Sequence, residues 1–406
     1  MTSDPYNAFL HLDPQPGTGG LVVGVKDVID VAGMPTTAAS RILHRVPDQD
    51  ADCVARLRAG GATIAGKLNT HEFAFGALTN SPHFGPALNP WNTAHSCGGS
   101  SGGSGAAVAA GLVDVALGTD TAGSIRIPAA FCGVTGIRPS AGLVSNDGVF
   151  PTAPTLDTTG PLAVSAKECR QILEILAGRS LDAPATDLCI GVVTSLFDGA
   201  DPAVAAACEA ALQELPGRLE PVTIPLHEEI ATITQLIMLP EATTVHLPWL
   251  RTRLADYGAD VRARLLAGLV LPPRAHATGL RARRWVRDEW EQALGGYDVL
   301  VAPAMPITAP RLDAIPPDYR LLVMPYNSPA ALLGLPVVVA PSGFVDGLPV
   351  GLAFTGRRGE DGVPLALAQA FQERTDWHLR SPVDVGSAKR LYTTRQQPRS
   401  EGEVNH

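Results

Sequence analysis

Apolar and polar positions along this chain switch between a two-residue and a helical period. Leu21-Val22-Val23-Gly24-Val25-Lys26-Asp27-Val28 is rich in β-branched residues and predicts a strand. With a two-residue period, Val22, Gly24 and Lys26 share one face, and Asp27 points the other way. From Asp48 to Gly61 the spacing of Ala51, Val54 and Leu57 predicts a helix stopped by Gly60-Gly61, and residues 62–67 follow as a short strand. Strand, helix and strand in this order predict an α/β layer arrangement. Ala106 to Ala110 is helix material, Val113 to Leu117 reads as a buried strand, and Ala129 to Gly133 opens another helix. Leu143 to Pro161, with Asn146-Asp147-Gly148 and three prolines, predicts irregular chain. Beyond it come a strand at Cys189–Val193 and an Ala-rich helix from Asp201 to Leu215. Two long, arginine-rich amphipathic helices are predicted next, Glu241–Leu271 and Ala277–Leu294, with Pro248 kinking or splitting the first. Tyr297–Pro303 and Leu335–Pro341 predict two more buried strands.

Composition narrows the possibilities. A chain of 406 residues can bury a sizeable core, and its net charge of −9 argues against a nucleic-acid-binding surface. The six cysteines form no CxxC pair and do not cluster with histidine, so reduced thiols are expected and no metal ligand set or cofactor is. The first residues lack a basic-then-apolar signal region, and no apolar run is long enough to span a membrane. A cytoplasmic enzyme is the expectation.

The chemistry concentrates between His95 and Pro128. Two serine-bearing turns, Gly98-Gly99-Ser100-Ser101-Gly102-Gly103 and Gly118-Thr119-Asp120-Thr121-Ala122-Gly123-Ser124, flank the small-residue helix. Glycines beside a serine free the backbone and leave several N–H groups aimed at one spot, where an oxyanion would be stabilised. A flexible linker would not resume hydrophobic structure twice within the span, which sets aside the commonest reading of Gly/Ser-rich sequence. Lys26 at the end of an apolar strand is, on pattern alone, most simply a solvated strand end.

The two turns, 24 residues apart from Ser100 to Ser124 and ending in Ser124-Ile125-Arg126-Ile127-Pro128, resemble the fingerprint of the amidase signature family. The resemblance implies one large α/β domain over residues 1–385, built on a large twisted mixed β-sheet flanked by helices. It implies a variable, mainly helical region at about 190–295, with a polar tail at 386–406. It assigns Lys26, 74 residues before Ser100, as the catalytic base, Ser100 as proton relay after a cis peptide at Gly99, and Ser124 as nucleophile. Thr121, Ala122, Gly123 and Ser124 would donate backbone N–H groups to the oxyanion. Asp120 and Arg126 would brace the turn, and Ser101 would hydrogen-bond Lys26. Phe75, Ile127, Phe150 and Thr152 would line the substrate channel. Lys67 is assigned no chemistry. Two departures stand out: Ala122, where many members carry Gly, would be strained if the position needs positive φ, and Cys97 replaces a usual proline and reads as a packing residue.

These assignments describe a serine–lysine hydrolase that cleaves the C–N bond of a small-molecule amide through an acyl-enzyme, with a homodimer possible and no cofactor. Ureide or carbamate hydrolysis of the carboxybiuret type is one alternative, suggested by the style of the helical region around Glu241, His246 and Trp249. A tRNA-dependent amidotransferase subunit is another, although Ile127 stands where that branch tends to carry Gln and the long C-terminal extension of that branch is missing. A further reading takes Gly98-Gly99-Ser100-Ser101-Gly102 as a nucleophile elbow, with Asp288 and His378 completing a triad. Ile127, Phe75 and Phe150 lean towards a neutral, apolar substrate group, whereas the arginine-rich helices could serve a carboxylate.

Overall fold

The computed structural model describes residues 4–13 and 20–382; the polar tail read from the sequence lies outside them. Eleven strands form one mixed sheet. Their order is Phe9–Leu12, Thr63–Leu68, Val22–Lys26, Val115–Asp120, Thr158–Ala163, Thr135–Arg138, Val337–Val345, Leu348–Gly356, Val299–Pro303, Cys189–Val193 and Arg218–Val222. Val22–Lys26 lies between two parallel neighbours, Thr63–Leu68 and Val115–Asp120. Helices cover the sheet, so its middle strands are buried along their whole length rather than alternating, as expected for strands covered on both faces. The large mixed sheet flanked by helices predicted from the sequence is what forms.

Two short helices hold the serine turns against this sheet. Gly102–Ala109 follows the first turn and Arg126–Cys132 the second, and the two pack on each other. Arg126–Cys132 rests in turn on the hairpin of Val337–Val345 and Leu348–Gly356. Asp346 and Gly347 at the hairpin tip have φ of 51° and 78°, the paired left-handed geometry that an Asp-Gly dipeptide favours.

Several boundaries differ from the sequence reading. The first helix spans only Asp52–Ala59, because Asp50 is used in a turn: its carboxylate accepts the Ala32 N–H and pairs with Arg58. The segment predicted as irregular to Pro161 already becomes strand at Thr158. The largest difference is in the helical layer. Its first helix runs from His227 to Leu250 with Pro240 and Pro248 inside it. The break falls after Leu250, not at Pro248, and the chain restarts as Ala259–Val270. The reason is tertiary: the Gly258 N–H donates to buried Glu72 at 2.7 Å, which holds the chain extended at Tyr257. Helices Pro273–Leu294 and Tyr319–Leu333 complete this layer around His227–Leu250.

Candidate active site

Lys26 ends its strand fully buried, with Nζ 2.7 Å from Ser100 Oγ, 2.7 Å from Thr119 Oγ1 and 3.4 Å from Thr119 O. Thr119 comes from the adjacent parallel strand, so sheet pairing itself supplies two of the three contacts. A neutral amine has two N–H donors and one lone pair. The two Thr119 oxygens and the Ser100 hydroxyl satisfy all three. Burial lowers the Lys26 pKa to about 7, against the opposing pull of the carboxylates of Asp120 and Asp157. Among the described residues no carboxylate forms an ion pair with it. Asp27, directed the other way as the two-residue period requires, pairs instead with buried Lys67 at 3.1 Å. Ser101 does not reach Lys26 as expected: its hydroxyl donates to Thr119 O at 3.1 Å and accepts the Thr119 N–H at 3.3 Å, locking the helix start to the strand.

The Gly99–Ser100 peptide is cis. The Ser100 carbonyl accepts from Thr70 Oγ1, Thr79 Oγ1 and the His71 N–H at 2.9–3.1 Å, so the turn is fixed from outside. It is tied to the second turn by the Ser101 N–H, which donates to Ser124 O at 3.1 Å. Ser124 Oγ makes no hydrogen bond to any described residue. Ser124 is 8 % exposed where Lys26 and Ser100 are 0 %, so of the three it alone is open to a substrate.

Asp120 is the hub of the second turn. Its buried carboxylate accepts from Arg126 Nε and Nη2, from Arg138 Nη1, and from the N–H groups of Gly123 and Ile125 at 2.8–3.1 Å. Burial alone would raise its pKa, but Arg126, Arg138 and these hydrogen bonds hold it well below the usual carboxylate range. This changes the expected oxyanion set. The Gly123 N–H is already engaged by Asp120, whereas those of Thr121, Ala122 and Ser124 donate to no described acceptor. Gly123 has φ of 116° and Ala122 is not left-handed, so the glycine is needed at 123 and alanine at 122 carries no strain.

The walls come from distant segments. Phe75 is buried beneath Arg264, whose guanidinium lies 4.2 Å from its ring centre. Ile127 packs against the Gly98 turn. Phe150 joins Phe73, His246 and Trp249 in an aromatic group with centroids 4.4–6.0 Å apart. His246 within it donates to or accepts from Tyr257 Oη at 3.0 Å, and burial lowers its pKa to about 4. Thr152 turns inward, its hydroxyl donating to Phe73 O at 3.1 Å. Phe73, Ala74 and Thr79 have positive φ near 50°, local strain of about 1 kcal/mol or more each, concentrated in the segment that flanks Ser100.

Five residues of the site escaped the sequence reading: Thr79, Thr119, Arg138, Asp157 and Asn327. Asp157 accepts from Thr121 Oγ1 at 2.6 Å and from the N–H groups of Thr152 and Ala153, so one carboxylate joins the nucleophile turn to the wall loop. Burial raises its pKa to about 6. Asn327 packs on Gly123 and leaves its buried Oδ1 without a partner. Only Thr119 had a signal, as the strand neighbour of Lys26. The rival arrangement around Ser100 finds no support: among the described residues neither Asp288 nor His378 is hydrogen-bonded to Ser100 or to the other, and the charges acting on His378 are those of Glu168 and Asp376. Cys97 is buried with its thiol pushed up to about 12, consistent with packing.

A buried lysine, two serine turns and a glycine-bearing nest on a mixed sheet define an α/β protein with a serine–lysine site. The chain belongs to the amidase family, whose sequence model matches residues 11–364. It is 36 % identical to the glutamyl-tRNA(Gln) amidotransferase A subunit of Roseiflexus castenholzii, over 89 % of this chain and 84 % of that one. A crystal structure of an amidase superposes with a TM-score of 0.86 at 34 % identity, covering 91 % of this chain and 92 % of the other. A protein from a vestigial complex bearing on the origins of an s-triazine catabolic enzyme superposes at 0.84 with 32 % identity, covering 91 % of each chain.

Proposed function

We propose that the protein hydrolyses a small-molecule amide through an acyl-enzyme on Ser124. The observation that carries this is the 2.7 Å contact between a buried, carboxylate-free Lys26 amine and the Ser100 hydroxyl, which is tied by its own turn to Ser124. Ser124 Oγ attacks the amide carbonyl carbon and gives its proton to Ser100 Oγ, while the Ser100 proton passes to neutral Lys26 Nζ. The tetrahedral oxyanion is met by the N–H groups of Thr121, Ala122 and Ser124. The C–N bond breaks as the proton returns through Ser100 to the leaving nitrogen. Water then attacks the acyl carbonyl by the same route and releases the acid, regenerating Ser124.

A fluorophosphonate probe followed by peptide mapping tests the assignment. Label is expected on Ser124 and absent in Ser124→Ala. Label on Ser100 that persists in Ser124→Ala would refute it.

The similarity to amidotransferase A subunits supports a second reading, in which the same centre releases ammonia from an amide for a partner enzyme. Glutamine as the preferred amide, with rates raised by a partner protein, would favour that reading over a free-standing amidase.

A further inference from the structure

The wall beyond Phe75 carries the guanidinium groups of Arg264 and Arg320 and the carboxylate of Asp260, with buried Glu72 behind them. Arg264, on helix Ala259–Val270, lies over the Phe75 ring and contacts Asp260 Oδ2 at 3.3 Å. Asp260 is shared with His71 Nε2 at 2.8 Å, and burial holds His71 towards its neutral form. Arg320, at the start of helix Tyr319–Leu333, makes no hydrogen bond or ion pair with any described residue and is only half-buried. Its neighbour Tyr319 donates to Ala77 O at 3.2 Å, which places the helix start beside the Phe75 segment.

The same helix fixes the distance to the chemistry. Asn327 packs against Gly123 in the nucleophile turn, and Arg126 Nη1 donates to its carbonyl at 3.0 Å. Arg320 lies seven residues before Asn327. Two helical turns place them on one face, about 10 Å apart along the axis.

We infer that Arg320 and Arg264 form an anchor for a carboxylate carried by the substrate about 10 Å from the scissile amide, joined to it by an apolar spacer. The inference rests on Ser124 as the reacting residue, which sets the origin of that distance. It deepens the proposed function by naming the substrate class as long ω-carboxy amides. Burial and the repulsion of Arg320 lower the Arg264 pKa to about 9 against the pull of Asp260, and a carboxylate placed between the two guanidinium groups would offset their mutual repulsion. The packing of Arg264 on Phe75 leaves Arg320 as the freer of the two to reach a ligand.

The test uses the full chain with Ser124→Ala and calorimetric titration of suberic acid monoamide against its methyl ester, together with turnover of the succinic-to-sebacic monoamide series by the unmodified protein. The expected result is about ten-fold tighter binding of the carboxylate than of the ester, with the preference appearing only for chains long enough to span the two turns. Arg320→Gln should reduce the carboxylate-to-ester ratio to near one, Arg320→Lys should restore part of it, and added salt should weaken it. Equal binding of acid and ester, or a ratio that survives Arg320→Gln, overturns the inference. So does a ratio that survives Arg320→Gln and vanishes in Arg283→Gln, because the anion would then sit on the other arginine-bearing helix. Turnover without carboxylate selectivity would sink this inference and leave the amidohydrolase reading standing, whereas probe label on Ser100 in place of Ser124 would sink both.

Discussion

Replacing Lys26 by Met removes the amine while keeping much of the side-chain volume, and it makes the relay quantitatively testable. With a pKa of about 7, Lys26 is neutral in about one molecule in eleven at pH 6, in half at pH 7 and in about ten in eleven at pH 8. If the neutral form is the base, kcat/KM should rise about ten-fold from pH 6 to pH 8 and then level. Lys26→Met should lose several orders of magnitude and the limb with it. Stability moves the opposite way. The folded pKa lies below the ordinary lysine value of 10.5, so the unfolded chain binds the extra proton between about 7 and 10.5. The cost of burying the amine is therefore full below pH 7 and fades as pH rises towards 10.5. Its ceiling is about 5 kcal/mol from that pKa difference, less whatever packing the methionine loses. Lys26→Met should thus be at least as stable as the parent at pH 6, with any advantage shrinking by pH 9. Urea unfolding at the two pH values, beside pH–rate profiles, measures both effects. A pH limb retained in Lys26→Met, or a loss of several kcal/mol of stability at pH 6, would refute the assignment.

Lys67 should behave in the contrary manner: Lys67→Ala strands the buried Asp27 carboxylate and should cost about 3–5 kcal/mol by urea unfolding while leaving the pH limb in place. Asp120→Ala removes the acceptor of two buried arginines and of the Gly123 and Ile125 N–H groups; a loss of about 3–5 kcal/mol, with activity reduced even where the protein is fully folded, is expected from unfolding and kinetic assays together. Asp157→Asn withdraws a negative charge that favours protonated Lys26, so the midpoint of the rate limb should move below pH 7.

The legible part of the site was local in sequence. Both serine turns, their glycines and the bracing pair Asp120 and Arg126 fall within one short stretch, and the strand period already separated Lys26 from Asp27. The remainder depended on chain neighbours that no period encodes. Arg138 reaches Asp120 from two strands away in the sheet, Asp157 reaches Thr121 across an irregular loop, and Asn327 arrives 204 residues after Gly123. The engagement of the Gly123 N–H could not be read from composition either, because a glycine in a nest looks the same whether its amide faces a substrate or a side-chain carboxylate. In the helical layer Pro248 pointed to a break that the fold places elsewhere, since Glu72 captures Gly258 and decides where the helix stops. The Asp-Gly hairpin tip was a usable local signal that the strand reading passed over.

The opposite directions of Lys26 and Asp27 make this strand intolerant of frame errors. Deleting one residue ahead of Lys26 would put Asp27 in the place of Lys26 and turn Lys26 to the face of Lys67. A carboxylate would then approach Ser100, where it would repel the developing oxyanion, and an unpaired amine would meet Lys67 in a site built for its counter-ion. One slip would disable the chemistry and uncompensate a buried charge together. Length changes entering this strand should therefore be purged far more stringently than changes of side chain within it, and libraries or grafts built on this scaffold should keep the count of residues from Val22 to Asp27 fixed.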